Sequence, residues 1–288
     1  MGFPAIVDDE ELLSAAKEAA PNLKISIFLS PVDIVLPIIP GVLNFFELGR
    51  IGVHVDEVNT AEKFVNKLKK YGKQVSIQLV RCHARPPEET AAAAKLAENM
   101  GADIVYVVDT FGSMHPAEVK EYLAAVQSVT KVQTGFHGHN TLGLAVSNSL
   151  AAAEQGANWL DASLLGVGRG AGNAQIETLS HDLRHLGANT GIQTEGLFRA
   201  IEEIVLPIFK APPTSRYIDL LFSEDRLDFS PSSFVELCAH AVNTDVEDFL
   251  LQLQHGMGIS SYLREEHLKK TVLDYGVDYS KLIEVLRD

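Results

Sequence analysis

Short β-branched runs alternate again and again with Ala/Leu/Lys/Glu stretches between Lys24 and Leu186, and this rhythm constrains the fold more than any other feature of the chain. Period-2 runs bounded by turn residues predict strands at Lys24–Leu29, Arg50–Val55, Gln74–Leu79, Ile104–Val108, Val132–Phe136 and Trp159–Ser163. Between them lie predicted helices at Glu57–Tyr71, Pro87–Met100, His115–Val129, Leu142–Gly156 and Gln175–Leu186. Gly72, Gly101, Gly156 and Gly187 stand where C-terminal caps belong, and Pro87 and Pro116 near first turns. Repeated βα units imply an α/β fold with a parallel sheet, either doubly wound or closed into a TIM (β/α)8-type barrel. Polar residues favour the barrel. Arg81-Cys82-His83, Asp109-Thr110, His137/His139 and Gly166–Asn173 each follow a strand at its carboxyl end, whereas a doubly wound sheet would load only loops beside a switch point. The Gly-rich run Gly166–Asn173 lacks an acidic partner in register, so a nicotinamide fingerprint is set aside.

The rhythm changes near Leu206. After Pro207, Pro212-Pro213 and Ser215 come helical stretches at Ser232–Ala241, Thr244–Leu253 and Ser260–Asp274, a small helical appendage. We therefore expect a barrel domain over 1–206 and a C-terminal helical domain over 207–288. With 288 residues, 46% of them hydrophobic and 22% charged, the chain can bury a large core. A net charge of −14 argues against nucleic acid or an anionic membrane as partner, because both need a clustered basic surface. Cys82 and Cys238 have no CxxC spacing, so neither a disulfide framework nor a thiolate zinc site is suggested, and a reducing cytoplasm is the expected compartment. The apolar Ile34–Phe46 segment contains Pro37 and Pro40 and is too short to span a bilayer, so it reads as a buried helix and loop.

Chemistry concentrates at Gly135-Phe136-His137-Gly138-His139-Asn140. Alternation along a strand puts the two imidazoles on one side, about 7 Å apart along the backbone, close enough to share a metal ion. From the tripeptide alone a pair making ordinary hydrogen bonds is an equal reading. Other polar residues carry two readings each. Cys82 and His83 line a site mouth or are buried structural groups, and His54 faces inward or packs at a strand end. Asp109 assists a substrate or receives backbone N–H groups. Arg169 touches a carboxylate or is solvated, and Cys238 and His240 on a predicted helix read as core.

The strings Asp109-Thr110-Phe111-Gly112-Ser113-Met114, Gly135–Ala145 and Asp161-Ala162-Ser163 through Gly168-Arg169-Gly170-Ala171-Gly172-Asn173 resemble the metal-dependent pyruvate aldolases and acyl-CoA condensing enzymes of the hydroxymethylglutaryl-CoA lyase-like superfamily. Within it the chain looks most like the 4-hydroxy-2-oxovalerate aldolases, over most of its length to Leu206 and more weakly to Gly258. The resemblance implies a divalent metal cofactor, Mn2+ in the aldolases, held by His137 and His139, with Asn173 matching an asparagine that approaches the metal in the lyase and synthase branches. It places Thr110, matching a hydroxyl residue that binds the pyruvyl carboxylate, and His137 beside a small 2-oxo acid substrate. The implied reaction is aldol cleavage of a 4-hydroxy-2-oxo acid to pyruvate and an aldehyde. A Claisen-type acyl-CoA condensing synthase and a non-catalytic homologue are the alternatives. The C-terminal region implies an acylating aldehyde dehydrogenase as partner, with simple packing on the barrel or a homo-oligomer as the other uses of such helices.

Two departures accompany the resemblance. The family's first strand ends in Asp-x-Thr-Leu-Arg-Asp-Gly, which supplies a third ligand and the enolate-stabilising Arg, with a His base just beyond; this chain has no such motif. Its opening Met1-Gly2-Phe3-Pro4 aligns with the loop after the family's second strand, so the expectation is a barrel incomplete at the N-terminus, with base and arginine on a preceding segment. In Phe229-Ser230-Pro231-Ser232-Ser233-Phe234, Pro231 stands where the aldolases carry a tyrosine, and proline has no phenolic hydroxyl to offer.

Overall fold

The computed structural model describes residues 8–32, 35–224, 227, 232–257, 263–280 and 282–283. Met1–Pro4, the Phe229–Pro231 string and the first residues of the helix expected from Ser260 lie outside the described residues.

The chain forms two compact units, the first comprising Met1–Val108, Ala117–Phe136 and Ala152–Leu160. In chain order the elements begin with helix α1 (Asp9–Ala19), strand β1 (Ser26–Leu29), the short helix α2 (Ile39–Val42) and β2 (Leu48–His54). There follow α3 (Glu62–Lys70), β3 (Gln74–Val80), α4 (Pro87–Met100), β4 (Ile104–Asp109), α5 (Pro116–Val129), β5 (Gln133–Gly138), α6 (Ala145–Glu154) and β6 (Trp159–Leu160). Strand order is β1-β2-β3-β4-β5-β6, with parallel pairing between β1 and β2, β2 and β3, β3 and β4, and β5 and β6. No reversal interrupts the order, which is the topology of a (β/α)8-type barrel rather than of a doubly wound sheet with a switch point. Six such strands occur among the described residues.

Register explains the burial. Ile51 pairs with Ile77 and Ile77 with Val105, and all three side chains are fully buried on one face. A Cβ on Gly49 would come within 2.4 Å of Leu68 Cδ1, so the absent side chain is what admits α3 so closely. The opposite face carries the cluster Leu48, Ile104, Tyr106 and Val108. Beside it, Arg50 Nη2 donates to Gln78 Oε1 at 3.1 Å, Gln78 Nε2 donates to Ser76 Oγ at 2.9 Å, and the Arg50 guanidinium lies 5.0 Å from the Tyr106 ring centre. Gly135 lies against that ring, where a Cβ would come within 2.6 Å.

Several boundaries differ from the sequence expectation. The helix expected from Glu57 opens as a 3-10 segment over Val55–Ala61 with a non-helical Glu57, because Thr60 Oγ1 donates to the Glu57 carbonyl and holds the turn tight. The helix expected from Leu142 starts at Ala145, whose N–H is taken by Asn140 Oδ1 after the left-handed Gly143. Strand β6 ends at Leu160, and Ser163 instead makes an isolated bridge to Gln175. In Ile34–Phe46 the described part is α2 and its flanks, with Ile39, Val42 and Phe46 buried as expected.

The second unit comprises Asp109–Pro116, His137–Ala151 and Asp161–Asp288. It holds the loops that follow β4, β5 and β6, then α7 (Ile176–His185), α8 (Thr194–Ala200) and α9 (Leu206–Phe209), where Pro207 occupies a first turn rather than a loop. Beyond them α10 (Tyr217–Glu224), α11 (Ser232–Ala241), α12 (Val246–Met257) and α13 (Glu265–Asp274) share a core of Ile218, Phe222, Val235, Cys238, Phe249, Leu253, Leu268 and Val272. Cys238 is buried there as expected, but His240 is exposed, because it falls on the outer face of α11. Among the described residues no helix is long and apolar enough to cross a membrane.

Candidate metal and 2-oxo acid site

The carboxyl ends of β4 and β5 and the loop after β6 meet within the second unit. His139 N–H donates to the Asp109 carbonyl at 3.2 Å, and Leu142 N–H to the Gly112 carbonyl at 3.2 Å, so the Asp109–Met114 turn is laced to the His139–Leu142 turn. Gly112 makes this possible: its φ is +63°, and a Cβ there would come within 2.7 Å of Thr141 N. On the other side, Asn140 N–H donates to the Gly172 carbonyl at 2.9 Å, and His139 pairs with Asn173 in an antiparallel bridge.

Strand alternation does what the sequence implied for the two histidines. Their ring centres are 5.1 Å apart and nearly perpendicular at 84°. His137 Nδ1 lies 3.0 Å from Asp161 Oδ2, and His139 Nδ1 lies 3.2 Å from the Gly172 carbonyl oxygen. A carbonyl can only accept, so Nδ1 of His139 carries the proton and Nε2 is the basic nitrogen; a carboxylate imposes the same tautomer on His137. Metal-binding imidazoles are oriented in this way by the group on their other nitrogen.

Asn173 stands opposite His139 in the bridge, which puts both side chains on the same side. Its Nδ2 donates to Val167 O at 3.2 Å and Ser163 Oγ at 3.4 Å, while its buried Oδ1 has no hydrogen-bond partner in the protein. Such an oxygen is costly to bury without a ligand. Gly168 leaves the space for it, since a Cβ at that position would lie 2.3 Å from Asn173 Nδ2. Among the described residues no three His, Cys, Asp or Glu side chains gather around one point, so an amide oxygen would be what joins the imidazole pair. Two imidazole nitrogens and an amide oxygen fit a borderline divalent ion such as manganese, iron or zinc better than calcium.

Thr110 is buried directly after β4. Asp109 before it is fully buried, and its two carboxylate oxygens accept from Ser113 N and Met114 N, each at 3.1 Å. Burial pushes its carboxyl up to about 7, against the opposing pull of the Met114, Ser113 and Gly112 N–H groups and of His137. Asp109 thus shapes the turn that presents Thr110. Arg169 is exposed, and Cys82 is a buried group whose thiol donates to the Leu79 carbonyl at 2.8 Å. His83 is buried beside it.

Asp161, the partner of His137, carried no role in the sequence reading. Its signal was present all the same, as an acid inside the strand expected at Trp159–Ser163, in a motif otherwise of small residues. Glu177 gave less signal: from the first turn of α7 its carboxylate accepts the N–H of Leu165, whose φ of +54° is unusual for a branched side chain.

The HMGL-like family matches residues 45–205. A 4-hydroxy-2-oxovalerate aldolase of Moorella thermoacetica is 36% identical over 250 residues, covering 86% of this chain and 74% of that protein. An oxaloacetate decarboxylase of Mycobacterium tuberculosis is 37% identical over 203 residues, covering 70% of this chain and 60% of that one. In structure, the carboxyl transferase domain of Rhizobium etli pyruvate carboxylase superposes with a TM-score of 0.74 at 17% identity, covering 93% of this chain and 50% of that chain, which is a likeness of fold. The chain belongs to the HMGL-like family, alongside the 4-hydroxy-2-oxovalerate aldolases.

Proposed function

We propose that this protein cleaves a 4-hydroxy-2-oxo acid to pyruvate and an aldehyde at a site built from His137, His139, Asn173 and Thr110, with a divalent ion, Mn2+ by our reading, as cofactor. The observation that carries the proposal is the donor set: two imidazoles with Nδ1 fixed by Asp161 and the Gly172 carbonyl, and one buried, unpartnered amide oxygen on Asn173. Nε2 of each histidine and Oδ1 of Asn173 would hold the ion. When bound, a divalent ion supplies Lewis-acid stabilisation of the negative charge left on a 2-oxo acid as a carbon–carbon bond breaks. The protein's own part is preorganisation. Thr110, fixed by the Asp109 turn, offers a hydroxyl to the substrate carboxylate, and the Asp161 carboxylate orients the His137 ring through Nδ1. No described residue is assigned as general base.

A second reading rests on the decarboxylase relative, because decarboxylation of oxaloacetate also leaves a pyruvate-like anion that the same donors would stabilise. The Rhizobium etli carboxyl transferase domain, alike in fold, has been solved with pyruvate, itself a 2-oxo acid, and biocytin. The helices α10–α13 expose Tyr217, Leu237 and Leu251, and we propose this surface for an acylating aldehyde dehydrogenase that takes up the aldehyde.

Pyruvate release from 4-hydroxy-2-oxovalerate and from oxaloacetate, each measured with Mn2+ and with a chelator, separates the readings. Metal-dependent pyruvate from the hydroxy acid is expected. Pyruvate from oxaloacetate alone would favour the decarboxylase, and release from neither would overturn both.

A further inference from the structure

Residues 212–216 form no helix or strand, and Pro213 is half-buried within an otherwise exposed run from Ala211 to Tyr217. Two adjacent residues at the end of this segment, Ser215 and Arg216, are tied down. Arg216 is clamped to the helical region: its Nε and backbone N–H each donate to Asp219 Oδ2 at 3.0 Å, and Nη2 donates to Asp219 Oδ1 at 2.7 Å and to Ser232 Oγ at 2.8 Å. Asp219 is 2% exposed, whereas the Arg216 side chain remains 43% exposed. Beside it Ser215 Oγ donates to the Thr141 carbonyl at 2.5 Å, a contact across 74 residues of sequence.

Pro213 makes the third attachment. It packs against Gly172, where an added Cβ would come within 3.0 Å of Pro213 Cβ and 2.1 Å of the Gly166 carbonyl oxygen. Thr141 lies two residues beyond His139, and Gly172 immediately precedes Asn173. The Gly172 carbonyl is also the acceptor for His139 Nδ1 and for Asn140 N–H. The segment therefore grips, from outside, the two backbone stretches that set the direction of His139 and of Asn173.

We propose that Pro213 and Ser215 are positioning residues: a strap, anchored through Arg216, that fixes the Gly172 carbonyl on His139 Nδ1 and so holds His139 and Asn173 in ligating register. The inference rests on the metal site proposed above. It adds that the orientation of the site is governed by the linker into the helical region, by residues that touch neither metal nor substrate. Loosening the strap frees the Gly172 peptide to turn, and His139 Nδ1 then loses its acceptor. Outer partners of this kind are worth about 10–100-fold in metal affinity.

The test uses the full chain with Ser215→Ala, Pro213→Ala and the conservative Ser215→Thr. Two readouts are taken at fixed pH beside a thermal melt: the 15N shifts of the His139 ring without metal, which report its tautomer, and Co2+ affinity by absorption titration. Expected are folded Ala variants with a mixed His139 tautomer and Co2+ binding weakened about tenfold, with Ser215→Thr close to the unmutated chain. Unchanged ring shifts and Co2+ affinity in the folded Ala variants would overturn the strap. A lowered melting temperature with unchanged ring shifts would also overturn it, since that marks a merely structural role. Should the unmutated chain bind no Co2+, the metal site fails, and the ring shifts still decide for or against the strap.

Discussion

The sheet and the loops beyond its strand ends are held by different means. Within the sheet, Ile51, Ile77 and Val105 stack in register, fully buried, and each packs among many apolar neighbours. At the carboxyl ends of the strands and in the turns after them, side-chain and turn direction rests on individual polar contacts: Asp161 on His137, the Gly172 carbonyl on His139, and Asn140 on Ala145 N–H. Apolar packing is non-directional and spread over many partners, so it sets stability, whereas a hydrogen bond is directional and sets orientation. Substitutions in the sheet should change how well the chain folds, and substitutions in the loops what it can bind.

The sharpest break of that contrast is His137→Ala. Turnover of the 2-oxo acid is expected to fall by about a thousandfold or more, given the several kcal/mol that metal stabilisation supplies, while the thermal melt stays close to the unmutated chain. Steady-state pyruvate release with Mn2+ and a melting curve on the same sample check it. Ile77→Ala should do the reverse, costing about 2–5 kcal/mol in urea unfolding while the folded protein keeps its Co2+ affinity. Equal losses in both assays for either variant would erase the distinction.

Asp161→Asn probes the loop side more finely. The amide still reaches His137 Nδ1 but carries no charge and can turn its donor group toward the ring, so Co2+ affinity should drop about 10–100-fold with little change in melting. The smallest effect concerns pH. Asp219 is opposed by burial, but the Arg216 hydrogen bonds and the Ser232 hydroxyl outweigh that and hold its carboxyl below the ordinary aspartate value of 3.8. A depressed acid contributes stability above its unfolded value and loses it as pH falls through the folded one. Asp219→Asn should therefore flatten the acid limb of the stability curve below about pH 4, read by urea melts between pH 2 and pH 7.

Much of the fold was legible in the sequence. The helix expected over Pro87–Met100 and the helix over Ser232–Ala241 have those bounds in the structure. Proline near a first turn marks the start of the former, and left-handed Gly101 marks its end. Gly72, Gly156 and Gly187 likewise have positive φ at helix ends. The expectation failed where side chains rewrote the backbone locally, at Glu57, at Asn140 and at Ser163, because hydroxyl and amide contacts with no periodic signature moved the boundaries. The helices α1, α8 and α10 were also missed: α8 and α10 are too brief to show a clear apolar stripe, and α1 buries no residue.

By itself, the sequence determined the βα order and the shared side of His137 and His139, since both follow from local periodicity. Only the tertiary structure decided which nitrogen of each imidazole carries the proton, that Asn173 Oδ1 is buried without a partner, and that Pro213 and Ser215 brace the turn behind His139. Those facts depend on groups 24 to 74 residues apart in the chain, and no local pattern encodes a contact whose partners meet only after the sheet has assembled.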